Sequence, residues 1–259
     1  MKRSKFLVVL LLLAMTSCLD TEETILLNAD NSGVYTVKFD LSRMLELAAS
    51  MNPDAGKEDR VMQKKDTIVY LRDLVDTASS LTADEKRLYK DGMLQVKLDE
   101  GKNQMSLTMS TPFKNPADLT IIKNHLPEII SKLKGFEKAA GDLEKPGENE
   151  DMKMDDKSAN PLGEYFTFSA TAGRISNTIT DVEAFKKLVT ADSTFSMMTQ
   201  MAGMMGDFNY HTIITVPKAA KKFQGPGSSA SADKKTISFS TTLAEILEHP
   251  EKVSYSVEY

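Results

Sequence analysis

Cys18 is the one thiol in a chain of 259 residues, so no internal disulfide can form and any covalent partner must come from outside the polypeptide. A thioether to a lipid suits a lone cysteine placed just behind an apolar leader. The next concentration of soft atoms is methionine. Met197, Met201 and Met204 stand at helical spacing in a run that also holds Phe195, Met198 and Met205. Thioethers so spaced fit a packed core, an apolar groove for a ligand or partner, or a Cu(I) site; with no His or Cys nearby in sequence, core packing comes first and the groove second. The histidines His125, His211 and His249 are far apart, and no two have the i, i+4 spacing of a helical zinc site. The acid pairs Asp99-Glu100 and Asp155-Asp156 fall in an expected turn and an expected linker, where carboxylates serve solvation. Asp30-Asn31-Ser32-Gly33 lacks the spaced oxygens and distal glutamate of a calcium loop. There is no GxSxG elbow, no P-loop and no GxGxxG ahead of a helix, and Gly225-Pro226-Gly227 reads as part of a flexible loop. The expectation is no catalytic, cofactor-binding or metal-binding residue, lipidation at Cys18, and, as the second reading of the methionines, an apolar groove at Met197, Met201 and Met204.

The residues ahead of Cys18 explain why it should be modified. Lys2, Arg3 and Lys5 precede an unbroken apolar run from Phe6 to Met15, and Thr16-Ser17 then lead to the cysteine. This is the order of a secretory leader, and the run is about half the roughly 20 residues that a membrane-crossing helix needs. Met15-Thr16-Ser17-Cys18 resembles the bacterial lipobox, with Met15 where leucine is usual. Residues 1–17 are thus expected to be a lipoprotein signal peptide and Cys18 the acylated amino terminus, tied to a membrane by palmitate-like chains.

Charge narrows the partners. The formal net charge of −5 falls to −8 once Lys2, Arg3 and Lys5 leave with the leader. A negative body has no general attraction for nucleic acid or anionic headgroups, and no basic patch is interleaved with aromatic residues, so nucleic acid is not an expected partner. The expected partners are the membrane, through the lipid anchor, and an envelope protein or a glycan. Hydrophobic residues make up 41% of the chain, enough for a sizeable core without disulfide staples.

The elements that would position these residues follow from periodicity. An acidic tether over 18–23 leads to a hairpin with Ile25 and Leu27 on one arm and Tyr35, Val37 and Phe39 on the other. Leu41 to Met51 reads as a helix, Asp54 to Lys65 as a charged loop, and Thr67 to Thr77 as a second helical region. Thr82 and Glu85 offer a capping box. Leu94, Val96 and Leu98 face Met105, Leu107 and Met109 across a turn, and Asn115-Pro116 opens a long amphipathic helix that Pro127 should kink or divide. Apolar density collapses over 136–162, the expected linker. Strands resume at Tyr165–Phe168 and Arg174–Ile179, and a second capping box at Thr180 and Glu183 opens a helix through Val189. The Met-rich helix follows, then a strand from Phe208 to Val216. A loop over Lys218–Lys234, a strand at Thr236–Thr241, a short helix at Leu243–His249 and a last strand at Val253–Tyr259 complete the chain. Hairpins interleaved with helices predict an α+β fold, with an antiparallel sheet, helices packed on one face and two similar lobes, at 24–135 and 163–259.

Three stretches resemble uncharacterised lipoproteins of Bacteroidota: Tyr35-Thr36-Val37-Lys38-Phe39-Asp40-Leu41-Ser42-Arg43-Met44, the Phe113-Lys114-Asn115 junction, and the tail from Tyr210 through Val216-Pro217-Lys218 and Leu243-Ala244-Glu245-Ile246-Leu247 to Tyr259. The acidic Leu19-Asp20-Thr21-Glu22-Glu23 is similar to the signals that send lipoproteins of that phylum to the cell surface. The resemblance implies an outer-membrane location and supplies no activity. The role expected is a non-catalytic binding or structural module; the alternatives are a carrier of an apolar solute or lipid, recognisable by an internal apolar cavity, and an envelope hydrolase, recognisable by two close carboxylates or a Ser beside a His.

Overall fold

A computed structural model describes residues 19–43, 45, 46, 64–132, 165–191 and 207–259. The leader, Cys18, most of the Leu41–Met51 helix, the linker 136–162 and the Met-rich helix with Met197, Met201 and Met204 lie outside the described residues.

In chain order the elements are β1 (Leu19–Leu27), β2 (Gly33–Asp40), β3 (Lys64–Tyr70), α1 (Leu71–Thr77), α2 (Ala83–Tyr89), β4 (Met93–Asp99), β5 (Gln104–Phe113) and α3 (Pro116–Lys132). They continue with β6 (Phe166–Thr171), β7 (Arg174–Ile179), α4 (Val182–Ala191), β8 (Phe208–Thr215), β9 (Lys222–Gln224), β10 (Ser229–Ala230), β11 (Thr236–Thr242), α5 (Leu243–Glu248), a 3₁₀ turn (Pro250–Val253) and β12 (Tyr255–Glu258). One sheet has the order β10-β11-β8-β1-β2-β5-β4-β3, the other β6-β7-β12-β9. The inner face of the large sheet packs against α1–α3 and the small sheet in a single core that joins Ile25, Tyr35, Leu94 and Ile214 to Leu119, Ile122, Phe168 and Val257. This is the expected α+β class, with hairpins building a mainly antiparallel sheet.

Several local readings change. Residues 19–23 are not a tether: they are the first half of β1, hydrogen-bonded between β2 and a parallel β8. The inward alternation of Ile25 and Leu27 extends back through Glu23 and Thr21, and two neighbouring strands satisfy the backbone there. Strands from both expected lobes therefore share one sheet. Residues 64–70 form a strand rather than the start of a helix, because the β-branched run Thr67-Ile68-Val69 pairs in register with Val96-Gln95-Leu94. The helix starts only at Leu71, whose N–H donates to Gly92 O at 2.9 Å. Thr82 and Glu85 form the predicted capping box. The second expected box shifts by one residue, since Asp181 Oδ1 accepts from Ala184 N at 2.8 Å while the Thr180 hydroxyl turns to Tyr165 O. Helix α3 is assigned without a break through Pro127. The segment Lys218–Lys234 carries the short strands β9 and β10, so it stitches the small sheet to the edge of the large one.

Helix α3 is the element that sets up the site. Asn115 and Asp118 cap it reciprocally, Asn115 Oδ1 accepting from Asp118 N and Asn115 Nδ2 donating to Asp118 Oδ2, both at 3.0 Å. Its Thr120 Oγ1 accepts from Ala170 N at 2.9 Å, and Asn124 bonds both backbone groups of Phe168. The edge of β6 is thus covered by helix side chains. Between those two positions on the same helix stands Lys123.

Candidate functional site

The large sheet, the small sheet, α3, α4 and α5 line a partly open cavity of about 330 Å³. Its walls are aromatic and aliphatic: Val37 and Phe39 from β2, Leu126 from α3, Phe166 and Phe168 from β6, Phe185 from α4, Phe239 from β11, and Leu243, Ile246 and Leu247 from α5. Phe166 and Phe185 meet edge to face with centroids 5.4 Å apart, and Phe239 stacks on Tyr255 at 4.9 Å. Gly225 makes that stack possible, because a Cβ there would stand 2.5 Å from the Phe239 ring. Such a volume lies at the lower end of the roughly 300–1,000 Å³ typical of ligand pockets.

A small polar group is set in this apolar wall. Glu23 of β1 and Lys123 of α3 form an ion pair across the cavity, and Tyr35 Oη donates to the other Glu23 oxygen at 2.9 Å. The Lys123 ammonium also lies 5.6 Å from the Tyr35 ring centroid and 5.3 Å from that of Phe168. Burial, with the Glu23 charge second, pushes the Tyr35 phenol well above its ordinary value, and the same two causes act on Tyr255. Both remain neutral donors at physiological pH. The Tyr255 hydroxyl is buried and has no hydrogen-bond partner among the described residues. Lys252, which also lines the cavity, is paired with Glu245 at 3.1 Å.

None of these polar residues is conspicuous in sequence, yet a signal is present. Glu23 keeps the inward parity of Ile25 and Leu27, and Lys123 sits on the apolar stripe of Leu119, Ile122 and Leu126. One charge of each sign on a stripe that must be buried is the mark of an internal pair. Taking 18–23 for a tether hides the first of them.

The histidines do not converge. His249 sits at the end of α5 between Glu248 and Glu251, whereas His211 Nδ1 and Ser240 Oγ are 3.1 Å apart as cross-strand partners at the rim of the cavity. Glu22 stands next to His211 in register on β1, and no hydrogen bond links them. Asp30 is engaged within its own turn, its carboxylate held below the ordinary range by the Ser32 hydroxyl and N–H. Among the described residues no three His, Cys, Asp or Glu side chains gather as a metal-ligand set, and no helix is long and apolar enough to cross a membrane.

No family model matches the chain. No curated protein matches it either. Among solved structures, the folded domain of LppM from Mycobacterium tuberculosis, determined by NMR, is similar over 94% of this chain and 91% of that one, at 7% identity and a TM-score of 0.32. A likeness at that level carries no argument.

Proposed function

We propose that this protein is a lipid-anchored module of the bacterial outer membrane, displayed at the cell surface, that binds an apolar, chain-like ligand non-catalytically in the cavity between its two sheets. The observation that carries the reading is the cavity itself, walled by aromatic and aliphatic side chains from six elements and partly open. Its position supports the same reading. Thr21, only three residues after Cys18, already lines the cavity, so about 10 Å of extended chain separates it from the expected acyl anchor. A ligand leaving a bilayer would travel a short path.

The test is displacement of the uncharged fluorophore N-phenyl-1-naphthylamine, expected to bind the protein and to be competed by single-chain lipids. Leu247→Trp, which fills the cavity from α5, should weaken binding at least tenfold while leaving the thermal midpoint within about 2 °C. Equal binding by the variant, or no binding by the parent, would reject the reading.

The Ser240–His211 contact is the observation that favours a hydrolase. A Ser–His pair needs an orienting carboxylate on the histidine and paired N–H donors for an oxyanion. Glu22 makes no bond to His211, and the Ser240 N–H is used by Pro226 O at 3.1 Å. Covalent labelling of Ser240 by a fluorophosphonate would revive that alternative.

A further inference from the structure

We infer that the resident ligand of the cavity is one of this protein's own acyl chains, the one amide-linked to the amino group of Cys18. This deepens the binding reading above and rests on it and on acylation of Cys18.

The register of the large sheet carries it. Two rows of inward side chains line the cavity, Thr21–Tyr210–Thr241 and Glu23–Thr212–Phe239, each running from β1 across β8 to β11. The next row along the same strands, Ile25–Ile214–Ile237, is fully buried and closes the space in that direction. On these strands the cavity therefore lies at the Cys18 end of β1. The row at that end begins with Leu19 beside Phe208, and Asp207 Oδ1, one residue earlier, accepts from Ala244 N at 3.1 Å. That bond seats the first turn of α5 there, and Leu243 and Leu247 of α5 line the cavity.

The strand leaves the anchor no slack. Leu19 is already paired with Phe208, so Cys18 is bonded directly to the first residue of the sheet and stands within about 10 Å of Thr21. A hydrocarbon core of about 30 Å is two chains thick, so one acyl chain reaches about 15 Å, enough to pass Thr21 and enter. A chain on the amino group has the shortest link, since that nitrogen belongs to the backbone leading into β1. So tethered, it meets the cavity at an effective concentration on the order of 1 mM, which a sparingly soluble free lipid does not reach in water. Its methylenes exchange one apolar surrounding for another, so leaving the bilayer carries no hydrophobic penalty. The two chains on the thioether stay behind, and two suffice for stable anchoring.

The experiment feeds cells that produce the full chain a palmitate analogue with a diazirine near its terminal methyl, irradiates the membranes and maps cross-linked peptides by mass spectrometry. The Cys18 peptide should be joined to peptides holding Leu126 or Leu247, at a yield unaltered when the protein is diluted in added lipid, as a link within one molecule requires. Leu247→Trp should lower that yield at least fivefold with the mass of the acylated Cys18 peptide unchanged. Cross-links from the Cys18 peptide to bilayer lipid alone, cavity peptides joined to a free lipid instead, or an undiminished yield in Leu247→Trp overturns this inference. Unacylated Cys18→Ser protein should take up N-phenyl-1-naphthylamine; uptake without the cross-link leaves the binding module standing, and absence of both removes both.

Discussion

Glu23 and Lys123, separated by a hundred residues, form an ion pair that joins the strand following Cys18 to the middle of α3. Their side chains are 22% and 12% exposed, so each charge is largely withdrawn from water and loses its main partner if the other is removed. Lys123→Met should therefore destabilise the fold by about 2 kcal/mol, below the 3–5 kcal/mol of a fully buried pair. Adding Glu23→Gln should recover at least half of that loss. Chemical denaturation of the two single variants and the double variant gives the coupling, and strict additivity would show that the pair is energetically idle.

Alkaline pH should unfold the protein through its tyrosines. Tyr35 and Tyr255 hold their protons well above 10.0 when folded, and the unfolded chain releases them near that value. Stability is then full below pH 10 and falls as pH rises past it, because ionisation favours the unfolded state. Absorbance at 295 nm should show that at least two of the seven tyrosines resist titration until the fold is lost. Smooth ionisation of all seven in the folded state would contradict the burial assigned to these rings.

The β1–β2 hairpin has little tolerance at Gly33. A Cβ there would run into the Leu26 carbonyl oxygen and the Phe113 ring, backbone on one side and core on the other. Gly33→Ala should cost about 2 kcal/mol or more, read as a lowered denaturation midpoint with an unchanged slope.

Cys18→Ala should abolish partition with membranes and leave an unacylated or unprocessed chain, as judged by detergent phase separation and mass spectrometry of the amino-terminal peptide. Unaltered partition of the variant would refute the anchor.

Much of the fold is legible because it is written in short-range chemistry. The hairpins β1–β2 and β4–β5 follow from strict alternation across turn residues, and α2 and α3 from capping residues ahead of an apolar stripe. The cavity is not legible, because its walls come from strands whose neighbours are remote: Phe39, Phe168 and Phe239 share it only through the sheet order. The strand at 64–70 is missed for a related reason. Its pairing with β4 decides its state, and its local pattern alone does not.

The parallel seam between β1 and β8 fixes the order of events in making the protein. Asn209 Nδ2 reaches back 189 residues to Asp20, so the middle of the large sheet can close only when the last fifth of the polypeptide has emerged. Until then the earliest strand waits with one rim of N–H and C=O groups unzipped, which is a template for mispairing and a reason for slow maturation.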